Sequence, residues 1–348
     1  MTSSLSFSRE FCIDGSGTET QVRVDVRGQP AMTDSSDNAR SASGPAPLER
    51  GRGHPRLTIG MPLYNNALTI RRALDSLLAQ SFAEFRILIS DDGSTDDGPR
   101  VCEEYARHDS RIEVFRQPTN LNYGNFRFVL ERASTPFFMF AAGDDYWHPD
   151  YAARMIEALD ANPRAVCAVS RVEFVKEGET IPRAAGTEPL LGDAAANIEC
   201  FLGGPAANTR MYGVFRTDVA RRAFPPRDFH AYDWAFSVGT LREGTHLEVP
   251  EILMWRDHTD PDRYIEYVRR DARGAISRLF PMLPLTGDVL FRLRVPINYP
   301  LLRQLFWLNV YSHLRYLQRY HPSAAPRVRR AVFGVAQAVS FLRRRIAG

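Results

Sequence analysis

Residues 85–97 read FRILISDDGSTDD. A short apolar run closed by Asp91, Asp92 and Gly93 has the length and punctuation of a buried parallel strand ending in a tight turn. Residues 137–147, FFMFAAGDDYW, repeat the pattern and end in Gly143, Asp144 and Asp145. In open α/β sheets, ligands bind beyond the carboxyl ends of such strands. Two aspartate pairs at two strand ends therefore belong to one crevice. Carboxylates crowded there repel one another unless a cation or hydrogen-bond donors sit between them. The expected occupants are a metal and a polar, phosphate-bearing ligand.

The flanking sequence supplies the rest of a sheet. RLTIGMPLYN (56–65) reads as a strand and ALTIRRALDSLLAQ (67–80) as a helix, with Leu68, Ala73, Leu74, Leu77 and Leu78 on one side. Strand and helix then alternate through IEVFRQ (112–117), NFRFVLERA (125–133) and AVCAVSRVEFV (165–175). This alternation predicts an α/β fold, a doubly wound, mainly parallel sheet with helices on both faces. Past Lys176 it weakens. RMYGVFR (210–216) and HLEVPEILMWRDH (246–258) read as strands, and TDVARRA (217–223) and YDWAFSVGTLRE (232–243) as helices. The expected domains are a disordered segment over 1–55, an α/β domain over 56–262 with halves 56–175 and 176–262, and a mostly helical C-terminal extension over 263–348.

The chain has 348 residues and a net charge of +3, too small to argue for nucleic acid. Its four cysteines, Cys12, Cys102, Cys167 and Cys200, have neither CxxC spacing nor a histidine set. That excludes a sequence-evident zinc site or disulfide framework and fits a reducing, cytoplasmic compartment. The N-terminus lacks the basic and apolar regions of a signal peptide, and no apolar run is long enough for a transmembrane helix.

The place of a dinucleotide-binding glycine loop is held by MPLYNNALT (61–69), which has no glycine. Phosphate charge must then be met otherwise, and Mg²⁺ or Mn²⁺ held by carboxylates is the expected substitute. Pro62, with no N–H, is expected to end its strand. Asn65 and Asn66 start a turn, and Asn65 is a candidate helix cap. Gly143 gives room for close approach at Asp144 and Asp145.

TIGMPLYNN (58–66), LDSLLAQSF (74–82), FRILISDDGSTDD and NFRFVLERASTPFFMFAAGDDYWHPD (125–150) stand in one order and spacing. Together they resemble the nucleotide-sugar half of the family 2 glycosyltransferases, inverting enzymes of the GT-A fold. The last segment resembles the family's rhamnosyltransferase-like branch. The resemblance implies that Pro62, Tyr64 and Asn65 border the nucleotide base and that Asp92 hydrogen-bonds it. It implies that Asp144 lies near the ribose and donor sugar, and that Asp145 reaches the metal on the diphosphate. The chain has GDD where many members have an acid at the first position too. In HAYDWAF (230–236), Asp233 matches the general base of an acidic pair whose first member is here Tyr232. In MWRDHTD (254–260), His258 matches a histidine near the metal or diphosphate, with Arg256 adding charge toward the phosphates. Trp234 and Trp255 are candidates for sugar stacking or for the core.

The implied activity is metal-dependent, inverting transfer of a hexosyl or deoxyhexosyl group from a nucleoside-diphosphate sugar. The acceptor is a hydroxyl of a glycan or lipid-linked molecule in surface polysaccharide synthesis. Rival readings are a nucleotidyltransferase, disfavoured by the missing glycine loop, and a non-catalytic nucleotide-sugar or glycan binder. Finally, Val328, Val332, Val335, Val339, Leu342 and Ile346 form one helical stripe between arginine clusters. This predicts either a helix packed on the domain or peripheral contact with the inner face of an anionic membrane.

Overall fold

The computed structural model describes residues 54–182, 185–204, 208–257 and 280–330. The first strands follow the sequence pattern closely. β1 (Leu57–Leu63) pairs in parallel with β2 (Phe85–Asp91) and β4 (Phe137–Phe140), and β2 pairs in parallel with β3 (Ile112–Arg116). Leu57, Ile59, Met61 and Leu63 are all fully buried. Helices α1 (Ile70–Leu78), α2 (Gly98–His108) and α3 (Gly124–Glu131) make the crossovers. α1 turns Ile70, Ala73, Leu74 and Leu77 inward, and burying each large aliphatic side chain contributes about 1.5–3 kcal/mol. Leu68, expected on that face, is instead fully exposed in the turn before α1. The helix starts at Ile70, once the Asn66 carbonyl has accepted the Thr69 and Ile70 amides.

The second half departs from the mainly parallel expectation. Strand β5 (Tyr146–Trp147) leads to helix α4 (Tyr151–Ala161) and long strand β6 (Ala165–Lys176), beside short β7 (Glu179–Ile181). Helix α5 (Ala194–Gly203), β8 (Val214–Arg216), α6 (Thr217–Ala223), α7 (Tyr232–Glu243) and β9 (Thr245–Asp257) follow. The sheet order is β3-β2-β1-β4-β8-β6-β9-β5, with β7 on β6. β8 is antiparallel to both β4 and β6, and β5 is antiparallel to β9, so the sheet is mixed. Only Val214–Arg216 of the expected 210–216 strand is extended, because Thr209–Tyr212 wind into a 3-10 turn.

β6 and β9 run parallel, but their register slips where Ser170 pairs Val249 and Arg171 pairs Ile252. Pro250 lies in that slip. It cannot donate to a ladder, so a bulge is the conformation open to it, and bulges bend a strand. β9 is thereby redirected, and its last residues pair with β5.

After residue 280, α8 (Leu283–Gly287) runs into a π-helical turn (Asp288–Arg292), and α9 (Tyr299–Tyr320) follows. Met282, Leu285, Leu293, Val295, Leu301 and Leu305 pack with Trp234, Ala235 and Val238 of α7. The expected helical character holds for these described residues. Residues 1–53 and the predicted stripe beyond Val328 lie outside them. No described helix is long and apolar enough to cross a membrane.

Candidate active site

The turns after β1 and β2 are tied together. Asn65 has a left-handed φ of 54°. Its amide donates to Ser94 Oγ at 2.9 Å, and its Oδ1 accepts the Thr95 amide at 2.8 Å. Asn65 therefore does not cap α1, whose N-cap is Thr69; it links two turns. Pro62 does not quite end its strand, which continues to Leu63. The Gly60 carbonyl accepts the Ala141 amide on the β4 side, and pairing with β4 stops at Gly60. By strand alternation Pro62 faces that same side beyond the end of β4, so its missing N–H breaks no bond. Tyr64 is half-exposed at the mouth.

Asp92 is buried. Its Oδ1 accepts the Leu121 amide at 2.5 Å and its Oδ2 the Asn122 amide at 2.9 Å. Burial raises its pKa; the two amides oppose the rise and Asp91 adds to it. Each oxygen retains acceptor capacity for a ligand N–H. Asp91 instead shapes the turn, accepting the Ser94 amide at 3.1 Å.

Gly143 joins this end to the next. A Cβ there would lie 3.1 Å from the Asn66 side chain. Beyond it, Asp145 is buried, and its Oδ2 accepts from Arg256 Nε at 3.2 Å while its Oδ1 accepts the Asp257 amide at 3.2 Å. Burial pushes its pKa up to about 7, against Arg256 and with Asp144 assisting. The Arg256 guanidinium also lies 4.3 Å from the centre of the Tyr212 ring. Arg72, on α1, donates to the Asp144 carbonyl at 2.8 Å and reaches Asp257 Oδ2 at 3.5 Å. It sits 4.5 Å from the centre of the Tyr146 ring, which stacks on Trp255 at 5.3 Å and 9°.

Asp233 stands in the first turn of α7, where the helix dipole favours an anion. Its Oδ2 accepts from Asn208 Nδ2 at 3.2 Å, and Asn208 Oδ1 accepts from Ser237 Oγ at 3.1 Å. Burial raises the Asp233 pKa, and the Asn208 bond is the largest influence lowering it. Tyr232 is a core residue whose ring packs, tilted, against Tyr123, Phe126 and Phe224. Trp234 is also buried, against Phe201. The Tyr212 hydroxyl, whose pKa burial raises, feels the charges of Arg256, Asp145, Asp144 and Asp233 together.

His258 lies outside the described residues. Among the described residues, no three His, Cys, Asp or Glu side chains gather as a cation site. The donor chemistry at Asp144 and Asp145 nevertheless suits Mg²⁺ or Mn²⁺, which take oxygen ligands and need only one or two carboxylates when a diphosphate supplies the rest. Arg72, Asn208 and Tyr212 were not singled out by sequence. Arg71 and Arg72 are indistinguishable there, Tyr212 lies in a turn whose pattern read as strand, and Asn208 stands just before that turn.

Residues 58–221 match the family model described as Glycosyl transferase family 2. The chain is 33% identical over 128 residues to EpsH of Bacillus subtilis (strain 168), whose name assigns it provisionally as a glycosyltransferase. That match covers 36% of this chain and 37% of EpsH. It is also 33% identical over 96 residues to a Campylobacter jejuni GalNAc(5)-diNAcBac-PP-undecaprenol beta-1,3-glucosyltransferase, covering 26% of this chain and 30% of that enzyme. The matches thus span about a third of the length of these relatives. Among solved structures, S. aureus TarS 1-349 is similar with a TM-score of 0.50 and 18% identity, over 79% of this chain and 86% of that one. Its complex with UDP-GlcNAc is similar with a TM-score of 0.50 and 17% identity, over 79% and 87%. The fold is GT-A-like, an α/β mixed sheet with a helical C-terminal region, and the likeness to glycosyltransferase family 2 lies in residues 58–221.

Proposed function

We propose that the chain is an inverting glycosyltransferase that moves a hexosyl or deoxyhexosyl group from a nucleoside-diphosphate sugar to a hydroxyl of a glycan or lipid-linked acceptor. The observation that carries this reading is the place of Arg256, which donates to Asp145 at 3.2 Å, lies 4.3 Å from the centre of the Tyr212 ring and has a charge that also reaches Asp233. A group suited to the diphosphate and a group suited to the acceptor then lie within electrostatic reach of each other.

In this reading Pro62, Tyr64, Asn65 and Asp92 border the base. Asp145 and Arg256 face the diphosphate, Asp144 the ribose and donor sugar. A divalent cation held by Asp145 beside Asp144 would supply charge compensation for the departing diphosphate. Arg256 adds a fixed positive charge at the same place. Asp233 takes the proton from the acceptor hydroxyl as that oxygen attacks the anomeric carbon and the bond to the diphosphate breaks. Burial makes its carboxylate a stronger base than an exposed aspartate. The rhamnosyltransferase-like run ending in GDDYW favours a deoxyhexose donor.

The test is a screen of UDP-, dTDP- and GDP-sugars for binding and slow hydrolysis, with Mg²⁺ or Mn²⁺ and with EDTA. One nucleotide class should bind, more tightly with the cation. Binding by none would overturn the reading. Binding without turnover on any glycan acceptor would favour the non-catalytic binder.

A further inference from the structure

Large apolar side chains are unevenly exposed. Over 54–257, only Tyr64, Leu68, Leu191 and Ile252 are both large and exposed among the described residues. The far shorter stretch 280–306 contributes seven, among them Phe291 at 79% exposure, Ile297 at 65%, Tyr299 at 52% and Phe306 at 57%. On α9, Tyr299, Leu302 and Phe306 follow a three- and four-residue spacing, which puts them on one helix face. Leu301, Leu305 and Leu308, on another side of the helix, are the ones buried in the core. The helix is thus apolar on two sides, and among the described residues only one of them is packed in the core. An exposed apolar set of this kind marks an interaction surface.

Charge decides what the partner is. Residues 280–330 contain eight arginines and one acid, Asp288, in a chain whose total net charge is +3. The only acid is itself held by Arg292, at 2.6 Å. Arg294 and Arg303 are exposed among the apolar residues. A symmetric dimer through this face would set the same basic patch against itself, which like-charge repulsion disfavours. An anionic lipid surface matches both properties. Aromatic and aliphatic side chains enter the headgroup boundary, and the arginines reach the phosphates above it.

We propose that the face carrying Phe291, Ile297, Tyr299, Leu302 and Phe306, with Arg294 and Arg303, docks on the surface of an anionic membrane. The same segment packs on α7, whose first turn carries Asp233. Docking therefore fixes the bilayer relative to the site from behind that helix. The surface itself requires nothing of the transferase reading.

The test is sedimentation of the full chain with phosphatidylcholine vesicles, with and without phosphatidylglycerol. The parent chain should pellet with the anionic vesicles only and be released by about 0.5 M salt, where exposed charges are screened. The triple variant Ile297→Ser, Leu302→Ser, Phe306→Ser, which leaves residues 331–348 intact, should lose about tenfold or more of that binding. A second variant, Arg294→Glu with Arg303→Glu, should lose it too and guards against a folding defect in the first. Undiminished binding by both variants would overturn the proposal, as would equal binding of the parent to neutral vesicles. So would a concentration-dependent dimer that the triple variant abolishes, with no vesicle binding by the parent.

Discussion

The 3.2 Å bond from Asn208 to Asp233 has a consequence for pH. As the proposed base, Asp233 acts only when ionised, and burial already raises its pKa above the ordinary value of 3.8. Asn208 stabilises the charged form, so Asn208→Ala raises the pKa further. The acid limb of kcat/KM should move to higher pH in that variant, as a pH–rate profile would record; an unmoved limb would uncouple Asn208 from the base. His246 works through stability instead. It is fully buried, neither ring nitrogen has a hydrogen-bond partner, and burial, then Arg210, drives its pKa well below 6.5. Below pH 6.5 the unfolded chain takes up a proton that the native state refuses, so stability falls as pH falls. His246→Phe should flatten that fall in a comparison of Tm at pH 5.5 and 7.5. Asp91, Asp92, Asp144 and Asp145 were legible in the sequence because strand ends announce them, and Asp233 was singled out through the family resemblance. Asn208 and Tyr212 were not, since their roles come from contacts across the fold and from a 3-10 turn that apolar alternation disguises.

At the scale of elements, the parallel half was legible because each strand is a continuous apolar run followed by a periodic helix. The second half was less so. β8 has only three residues and enters between β4 and β6 in the opposite direction, and nothing local in VFR sets its direction. What holds it is close packing at Gly213. A Cβ there would meet Val169 Cγ1 at 2.6 Å and the Ala168 backbone oxygen at 2.8 Å. Backbone cannot yield as a side chain can, so Gly213→Ala should destabilise the protein by about 1–3 kcal/mol, the usual cost of overpacking. Urea unfolding would measure this, and a variant as stable as the parent would mean that β6 and β8 can part without cost. The bulge at Pro250 belongs to the same class. Proline was visible, but that its strand would bend to bring Trp255 onto Tyr146 depended on β5, a two-residue strand without a sequence signal.

Across the whole molecule, one mixed sheet gathers chemistry that the chain scatters. Asp92 follows β2, Asp145 follows β4, Arg256 is the penultimate residue of β9, and Asp233 lies in the first turn of α7. The turns are clamped to one another by Asn65 and Thr95, by Gly143 against Asn66, and by Arg72 on the Asp144 carbonyl. The proposed donor end is therefore built on turns bonded to one another, while Asp233, the proposed base, arrives from a separate helix backed by the C-terminal segment. That division predicts that donor binding and proton transfer are separable. The direct test is Asp233→Asn, assayed for donor affinity by calorimetry and for turnover with acceptor. Donor affinity should stay within about twofold of the parent while turnover falls by roughly 10²–10⁴, the range for loss of a general base. Turnover equal to the parent's would contradict the account.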